Sequence, residues 1–373
     1  MKKNLNVLFV GAFNRGTKDG SSGGQLFACT SLIESDLKNS INFIKLDTTA
    51  ETVPAPPVYK RIPKVFLRLS KFLYSILFRK IDVVLIFSSA KLSFIEKGLM
   101  AYLASVVSKK VIFAPRSGLI LNDYERSKFM KSFIPFVVRS STYILCQSTN
   151  WKEFYKSVSG EKDEKFVIVN NWIDIAPYLQ NKETQINSTL EIVYLGWLEE
   201  YKGIRDLLTA LKILSQKQLN VDFKCTIYGN GNLFEEASQF IKDNGLEQVA
   251  FLKGWANKEV KMNAFRTADI YILPSHYEGF PNALLEAMAS QLPVVVTRIM
   301  SVADIVQHGV NGMIAECKDP ASLAEQLEKL LLDENLRLEI AKNARETVIN
   351  KFTIQTAIQK LEKIFYETNH TIL

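Results

Sequence analysis

Twelve short runs rich in Val, Ile and Phe punctuate this chain, and most are separated by stretches with helical patterning. No other feature limits the fold as much. Strands are expected at 6–10, 41–45, 83–87, 111–114, 143–146 and 167–169, and again at 191–195, 223–228, 249–252, 270–273, 294–297 and 312–314. Strands that alternate with helices form parallel sheets joined by right-handed crossovers. The alternation breaks at QNKETQINST, residues 180–189, which is polar and has no helical stripe. It reads as a linker. The expected organisation is an N-terminal domain over 1–178, a linker over 179–189 and a second domain over 190–353. A length of 373 residues allows each domain its own core. Beyond Asp319 the chain turns helical, with Leu323, Leu327, Leu330 and Leu331 at helical spacing. A last helix at about 354–373 could pack back on the N-terminal domain. Ligands of open parallel sheets bind outside the carboxyl ends of the strands, so loops that follow strands are where chemistry is expected.

Composition narrows the class. Hydrophobic residues make up 47% and charged residues 23%, a globular balance that argues against disorder. Cys29, Cys146, Cys225 and Cys317 are far apart and show no C-x-x-C spacing. That argues against a disulfide scaffold or a zinc site and fits a reducing compartment. The opening MKKNLNVLFVGAFN has a short apolar run leading into a glycine turn, the pattern of a first strand rather than a signal peptide. No apolar run reaches about 18 residues, so no membrane-spanning helix is expected. Charge is uneven. Residues 1–175 hold 26 Lys and Arg against 14 Asp and Glu, whereas 176–373 hold 20 against 25. Halves of opposite sign suggest different partners, the basic half facing a phospholipid surface or a lipid pyrophosphate. Nucleic acid is disfavoured, because no binding module is recognisable.

The most informative segment, 269–298, reads DIYILPSHYEGFPNALLEAMASQLPVVVTR. A buried strand ends at Pro274, and a polar loop holds Ser275, His276, Tyr277 and Glu278. Gly279 and Pro281 shape a tight entry to a helix expected from about Asn282, with Pro281 just inside its start. The first-turn N–H groups of such a helix and its dipole favour an anion, which makes a phosphate site. Glu278 precedes the helix and Glu286 lies about one turn inside it. Carboxylates only accept hydrogen bonds and can take two, which suits sugar and ribose diols. Taken alone, the pair also fits an ordinary strand–loop–helix with solvated acids.

The whole string resembles the signature of the large retaining glycosyltransferase family 4, of the bacterial surface-polysaccharide type, in which two glutamates at this spacing bracket G-F-P and precede L-E-A-M-A. The resemblance continues through 293–297, 304–306, GVNG at 309–312, Asp319, Leu336–Arg337 and Ala344–Arg345, and so covers most of 190–352. It implies an α/β fold of GT-B type, two facing Rossmann-like domains with a cleft between them. The N-terminal domain would bind the acceptor and the C-terminal domain the nucleotide-sugar donor. Glu278 would contact the transferred sugar, Glu286 the ribose, and the backbone of Gly279, Phe280, Pro281, Asn282 and Ala283 the donor phosphates.

Other motifs follow strands as well. YLGWLEEYKG (194–203) places Lys202 where a lysine can neutralise pyrophosphate as the leaving group forms. The family commonly shows G-R followed by K-G here; Gly196 and Lys202 match, but Trp197 stands at the arginine position. Arg298 or Arg205 could compensate, and Arg205 fits a solvated helix position equally well. IYGNGNL (227–233) resembles a family turn at the nucleotide; Gly229 and Gly231 also fit plain turn glycines. Gly254 resembles a position near the base. In the N-terminal half, Gly23 and Gly24 follow the first strand and either approach phosphate or acceptor or form a flexible loop. NNWID (170–174) carries Trp172 where the family commonly has glycine. PRSGL (115–119) carries Arg116 and Ser117 where many members have a histidine near the reacting sugar. His276, His308 and His370 lie elsewhere, and His276 is read as a polar loop residue.

Residues 58–80 hold seven Lys and Arg and no acid. Arg61, Lys64, Arg68, Lys71, Ser75 and Arg79 recur at helical spacing, with apolar residues filling the rest. The pattern suits an anionic membrane interface, or a helix packed on the N-terminal sheet with a solvated basic face. Residues 128–139, with Phe129, Met130, Phe133 and Phe136, could extend that surface.

The expected activity is that of a retaining, hexosyltransferase-type glycosyltransferase, moving a sugar from a nucleotide diphosphate sugar to a hydroxyl of a glycan or lipid-linked acceptor. Glu278 and Lys202 are the expected catalytic residues. No cofactor and no metal are expected, since no D-x-D motif is present. The expected place is the cytoplasm, peripheral on the inner face of the cytoplasmic membrane. A non-catalytic sugar-nucleotide-binding subunit and a GT-B sugar-nucleotide epimerase are the alternatives.

Overall fold

All twelve expected strands form, each within two residues of the stretch read from the sequence. The computed structural model describes residues 5–14, 24–49, 58–179 and 189–370. These fall into two compact units, Met1–Trp172 with Ile354–Leu373, and Ile173–Thr353. Residues 180–188 of the expected linker, and Gly23, lie outside the described residues.

Unit 1 runs β1 (Leu5–Gly11), α1 (Gly24–Glu34), β2 (Ile41–Asp47), α2 (Val58–Phe78), β3 (Val83–Ser88), α3 (Leu92–Val106), β4 (Lys110–Pro115), α4 (Leu119–Arg126), α5 (Lys128–Ser140), β5 (Tyr143–Cys146), α6 (Thr149–Ser159) and β6 (Phe166–Ile168). Unit 2 runs β7 (Thr189–Leu195), α7 (Ile204–Ser215), β8 (Asp222–Tyr228), α8 (Phe234–Asp243), β9 (Ala250–Gly254), α9 (Lys258–Thr267), β10 (Ile270–Leu273), α10 (Asn282–Ala289), β11 (Val294–Thr297), β12 (Met313–Ala315), α11 (Pro320–Leu332) and α12 (Glu334–Lys351). The last helix, α13 (Ile354–His370), belongs to unit 1.

Both sheets are parallel and six-stranded, ordered β2-β1-β3-β4-β5-β6 and β12-β11-β10-β7-β8-β9. The strands read as near-continuous apolar runs because helices cover both faces. In unit 2, Ile192, Ile270 and Ile272 face α7 and α11, while Val193, Tyr271 and Leu273 face α10 and α12. In unit 1, Phe9, Leu85 and Phe87 pack with Cys29 and Leu32 of α1 and with Leu361 and Phe365 of α13. Trp172 fills the same core, 1% exposed, and its indole N–H donates to Ser31 Oγ at 2.9 Å. A bulky ring there thus has a packing role on this chain.

Strand order reverses between β1 and β3 in unit 1 and between β7 and β10 in unit 2. Such reversals open a crevice at the carboxyl ends of the strands.

The helix α2 differs from the even basic face its spacing suggests. Arg68 turns onto α3 and pairs with Glu96, and Ser75 is buried beside Phe72 and Ile76. Phe66, Leu67, Tyr74, Leu77 and Phe78 are instead exposed. One buried salt bridge and two apolar anchors decide which side of the helix faces in. No helix among the described residues is long and apolar enough to cross a membrane.

Candidate active site

The crevice of unit 2 lies where the loop after β7 meets the loop after β10. Gly203, at φ 68°, lets them touch: a Cβ there would lie 2.0 Å from the carbonyl oxygen of Pro274. Only glycine takes both that backbone and that approach without strain. The contact is tied by the His276 N–H, which donates to the Tyr201 carbonyl at 2.8 Å. The His276 ring is held by Asp206 at 2.7 Å, Nε2 to Oδ2. His276 therefore fixes the loop to α7.

This junction brings Lys202 and Glu278 together. Lys202 Nζ lies 2.6 Å from Glu278 Oε1, both side chains largely buried. Ser275 Oγ donates to the same oxygen at 2.9 Å. Among the described residues Glu278 Oε2 accepts no hydrogen bond, so it can accept from a ligand hydroxyl. Lys202 has three donors, so it can hold Glu278 and still reach a phosphate oxygen.

Glu286 lies further along α10 with a different cation. Lys261 Nζ, on α9, donates to Glu286 Oε1 at 2.8 Å and Oε2 at 2.9 Å. Burial first, then the nearby Glu286 carboxylate, pushes the Tyr178 phenol well above its usual range. The buried phenol of Tyr271 on β10 is raised by burial, then by Tyr194, Glu278 and Glu286, so both carboxylates sit near this strand.

The entry to α10 is compact. Gly279, Phe280 and Pro281 are buried, while Asn282 and Ala283 are half-buried. Phe280 points into the core against Phe352, ring centres 5.5 Å apart, which leaves its backbone to line the turn. Pro281 sits at the cap, with extended ψ of 107°, one residue before the position the sequence suggested; no side chain caps the helix. Its fixed φ suits this position as well.

Glycine turns after β7, β8 and β9 are stitched together. Gly196 N–H donates to the Tyr228 carbonyl at 3.1 Å, and Gly229 N–H to the Gly254 carbonyl at 2.7 Å. A Cβ on Gly229 would lie 1.8 Å from the Gly196 carbonyl oxygen, so glycine is required there. Trp197, at the arginine position of the resemblance, packs on Trp255 with ring centres 4.8 Å apart. Arg205 is engaged by Glu200 and Glu236 on the surface, and Arg298 by Glu316. Neither is drawn to the Lys202–Glu278 junction. The second cation beside the glutamates is Lys261, which no motif marked and which reaches Glu286 from α9, a helix that shares one core with α10.

In unit 1, Gly24 begins α1 and is exposed. The Arg116 guanidinium lies 4.6 Å from the Phe87 ring centre and 5.2 Å from that of Trp172, and donates to Asn171 Oδ1. Burial pushes its pKa down to about 10. The Ser117 carbonyl accepts from the Ile120 N–H at 3.3 Å.

Comparison with known proteins names the unit that carries the paired glutamates. Residues 179–347 match the sequence model of the family described as Glycosyl transferases group 1. Unit 2 is a group 1 glycosyltransferase domain. Over 215 residues the chain is 30% identical to the capsular polysaccharide biosynthesis glycosyltransferase CapM of Staphylococcus aureus, covering 57% of this chain and 53% of that one. It is 25% identical over 242 residues to the UDP-Gal:alpha-D-GlcNAc-diphosphoundecaprenol alpha-1,3-galactosyltransferase of Escherichia coli, covering 62% of each. The matched stretch thus spans about half of the first relative's length and under two thirds of the second's. The fold of the chain is GT-B. It is similar to that of sucrose-phosphate synthase from Thermosynechococcus elongatus, with a TM-score of 0.77 at 13% identity over 99% of this chain and 100% of that one.

Proposed function

We propose that this chain transfers a hexose from a nucleoside diphosphate sugar to a hydroxyl acceptor, with retention at the anomeric carbon, in the synthesis of a surface polysaccharide. One observation carries this reading: a lysine–glutamate pair sits at the strand-order reversal of unit 2, beside the start of α10. In the reaction the bond between the anomeric carbon and the diphosphate oxygen breaks, and its electron pair leaves with the diphosphate. Lys202 and the N-terminal turn of α10 stabilise that charge. Glu278 Oε2 holds a hydroxyl of the transferred sugar, and Glu286 holds the ribose. The acceptor oxygen forms the new bond, and its proton leaves with the diphosphate. A cation and a helix dipole already meet the leaving charge, so turnover is expected to survive EDTA.

The names of the relatives support a polysaccharide setting, and one names a diphosphoundecaprenol acceptor. A lipid-linked acceptor also fits the surface of unit 1. Exposed Phe66, Tyr74 and Phe78 of α2 lie on a helix that also exposes Lys64 and Lys71, and exposed Arg79 and Lys80 follow directly after it. Exposed Phe129 with Lys128 and Lys131 continues this chemistry on α5. Apolar rings with basic flanks suit an anionic bilayer, at about 1 kcal/mol per basic residue near the surface.

The test is a panel of nucleotide sugars, read by melting temperature and then by transfer to lipid-linked acceptors. One donor should raise the melting temperature, and Glu286→Ala should abolish that rise. A panel with no stabilising donor refutes the reading. For the membrane surface, Phe66→Ser with Phe78→Ser should release the protein from phosphatidylglycerol vesicles in flotation; unchanged flotation removes it.

A further inference from the structure

Unit 1 holds two cations, buried Lys97 and half-buried Arg116, that no carboxylate hydrogen-bonds among the described residues. Lys97, on α3, is 3% exposed, and its Nζ donates to Ser93 Oγ at 2.7 Å. Its neighbour Glu96 acts on it through space, but both Glu96 oxygens hold Arg68, at 2.5 Å to Nε and 2.9 Å to Nη2, so the three groups keep one excess positive charge. Arg116 rests on the Phe87 and Trp172 rings and on Asn171. Among the described residues neither Lys97 nor Arg116 hydrogen-bonds an acid.

The two lie in one neighbourhood. Arg116 N–H donates to the Ser88 carbonyl at 2.7 Å, and Ser88 Oγ donates to the Ser93 carbonyl at 3.5 Å, which leads to Lys97. Both also act on Cys29: burial pushes this thiol up to about 11, against the Ala12 backbone hydrogen bond and the pull of Arg116 and Lys97. Asp47 faces the same thiol but is held by Phe13 N–H at 2.9 Å, Asn14 at 2.7 Å and Thr49 at 2.5 Å. The group sits at the carboxyl ends of β3 and β4, where α3 begins with no side chain capping its first turn. Burying a charge with no partner is strongly unfavourable. Two cations without a bonded acid at the binding end of a sheet leave a local excess of positive charge that an anion from outside can meet.

We propose that Lys97 and Arg116 hold a phosphate or diphosphate group carried by the acceptor. The planar guanidinium matches two phosphate oxygens, and the ammonium adds a point charge. Naming the acceptor rests on the transferase reading above; the anion site does not.

The test uses the full chain saturated with UDP, GDP or ADP, so that the donor motif of unit 2 is occupied, and then measures binding of radiolabelled pyrophosphate. One further pyrophosphate should bind. Lys97→Met and Arg116→Lys should each weaken it at least tenfold, while Lys156→Met, on the surface of α6, should not. If Lys97→Met fails to fold, Arg116→Lys carries the test alone, since it keeps the charge and loses the fork. Wild-type protein that binds no further pyrophosphate, or folded variants that bind it as tightly, would overturn the site. Failure of every nucleotide to bind would count against the transferase reading and leave the pyrophosphate comparison between variants intact. Competition then assigns the source. Displacement by phosphatidylcholine vesicles containing a polyprenyl diphosphate, and not by plain vesicles, puts the anion on a lipid. Displacement by a soluble sugar phosphate alone puts it on a soluble acceptor, and displacement by neither overturns its assignment to the acceptor.

Discussion

Four cations, two in each unit, meet opposite surroundings. In unit 2, Lys202 and Lys261 each hold a glutamate, at 2.6 Å and 2.8 Å. In unit 1, Lys97 and Arg116 hold no acid, and burial lowers Lys97 to about 8 and Arg116 to about 10. A paired cation orients its carboxylate before any ligand arrives, and the ligand then shares the pair. An unpaired one pays for its burial until an anion arrives. The same substitution, lysine to a neutral residue, should therefore lower stability in one unit and raise it in the other.

The largest effect is expected at Lys202. Lys202→Ala should cost turnover about 2–4 kcal/mol of transition-state stabilisation, read from kcat under donor saturation. It should also lower the melting temperature, because Glu278 loses its partner; unchanged turnover would remove Lys202 from the reaction. Glu286→Ala should weaken nucleotide binding by about 1.5–3 kcal/mol, the worth of hydrogen bonds to a charged group, measured by calorimetry. Equal affinity would end its ribose role.

Lys97→Met tests the other side of the contrast. Below pH 8 the lysine is protonated in both folded and unfolded chains, so the full burial cost stands. As pH rises from about 8 toward 10.5 the folded chain sheds the proton first, and stability rises with pH. The variant should thus be more stable than wild type at pH 7, by about 1–3 kcal/mol in urea unfolding, with the gain shrinking by pH 10. A destabilised variant at pH 7 would mean that Lys97 is balanced after all. The smallest effect belongs to Arg205→Ala. Its partners Glu200 and Glu236 are exposed, so turnover should stay within roughly twofold. A large loss would make Arg205 the missing phosphate cation.

Some of this was readable from residues alone, and the reason is local. Alternation of apolar runs with helical stripes follows from strand and helix periods, which is why all twelve strands could be placed. Other features depend on what packs against them. Trp172 and Trp197 look like disruptions of glycine and arginine positions, yet one fills the core of unit 1 and the other packs on Trp255. The spacing of α2 shows a basic stripe, but Glu96 on another helix decides where Arg68 points.

By itself, then, the sequence determined a doubly repeated parallel α/β fold and a strand–loop–helix bearing Glu278 and Glu286, because short-range periodicity and turn chemistry need no distant partner. Only the tertiary structure decided which cation meets which carboxylate. Lys202 and Glu278 are 76 positions apart, and Lys261 and Glu286 are 25 apart. Such pairings, and the lack of one at Lys97 and Arg116, are set by how strands are ordered in a sheet and how helices pack on it, and no local pattern encodes that.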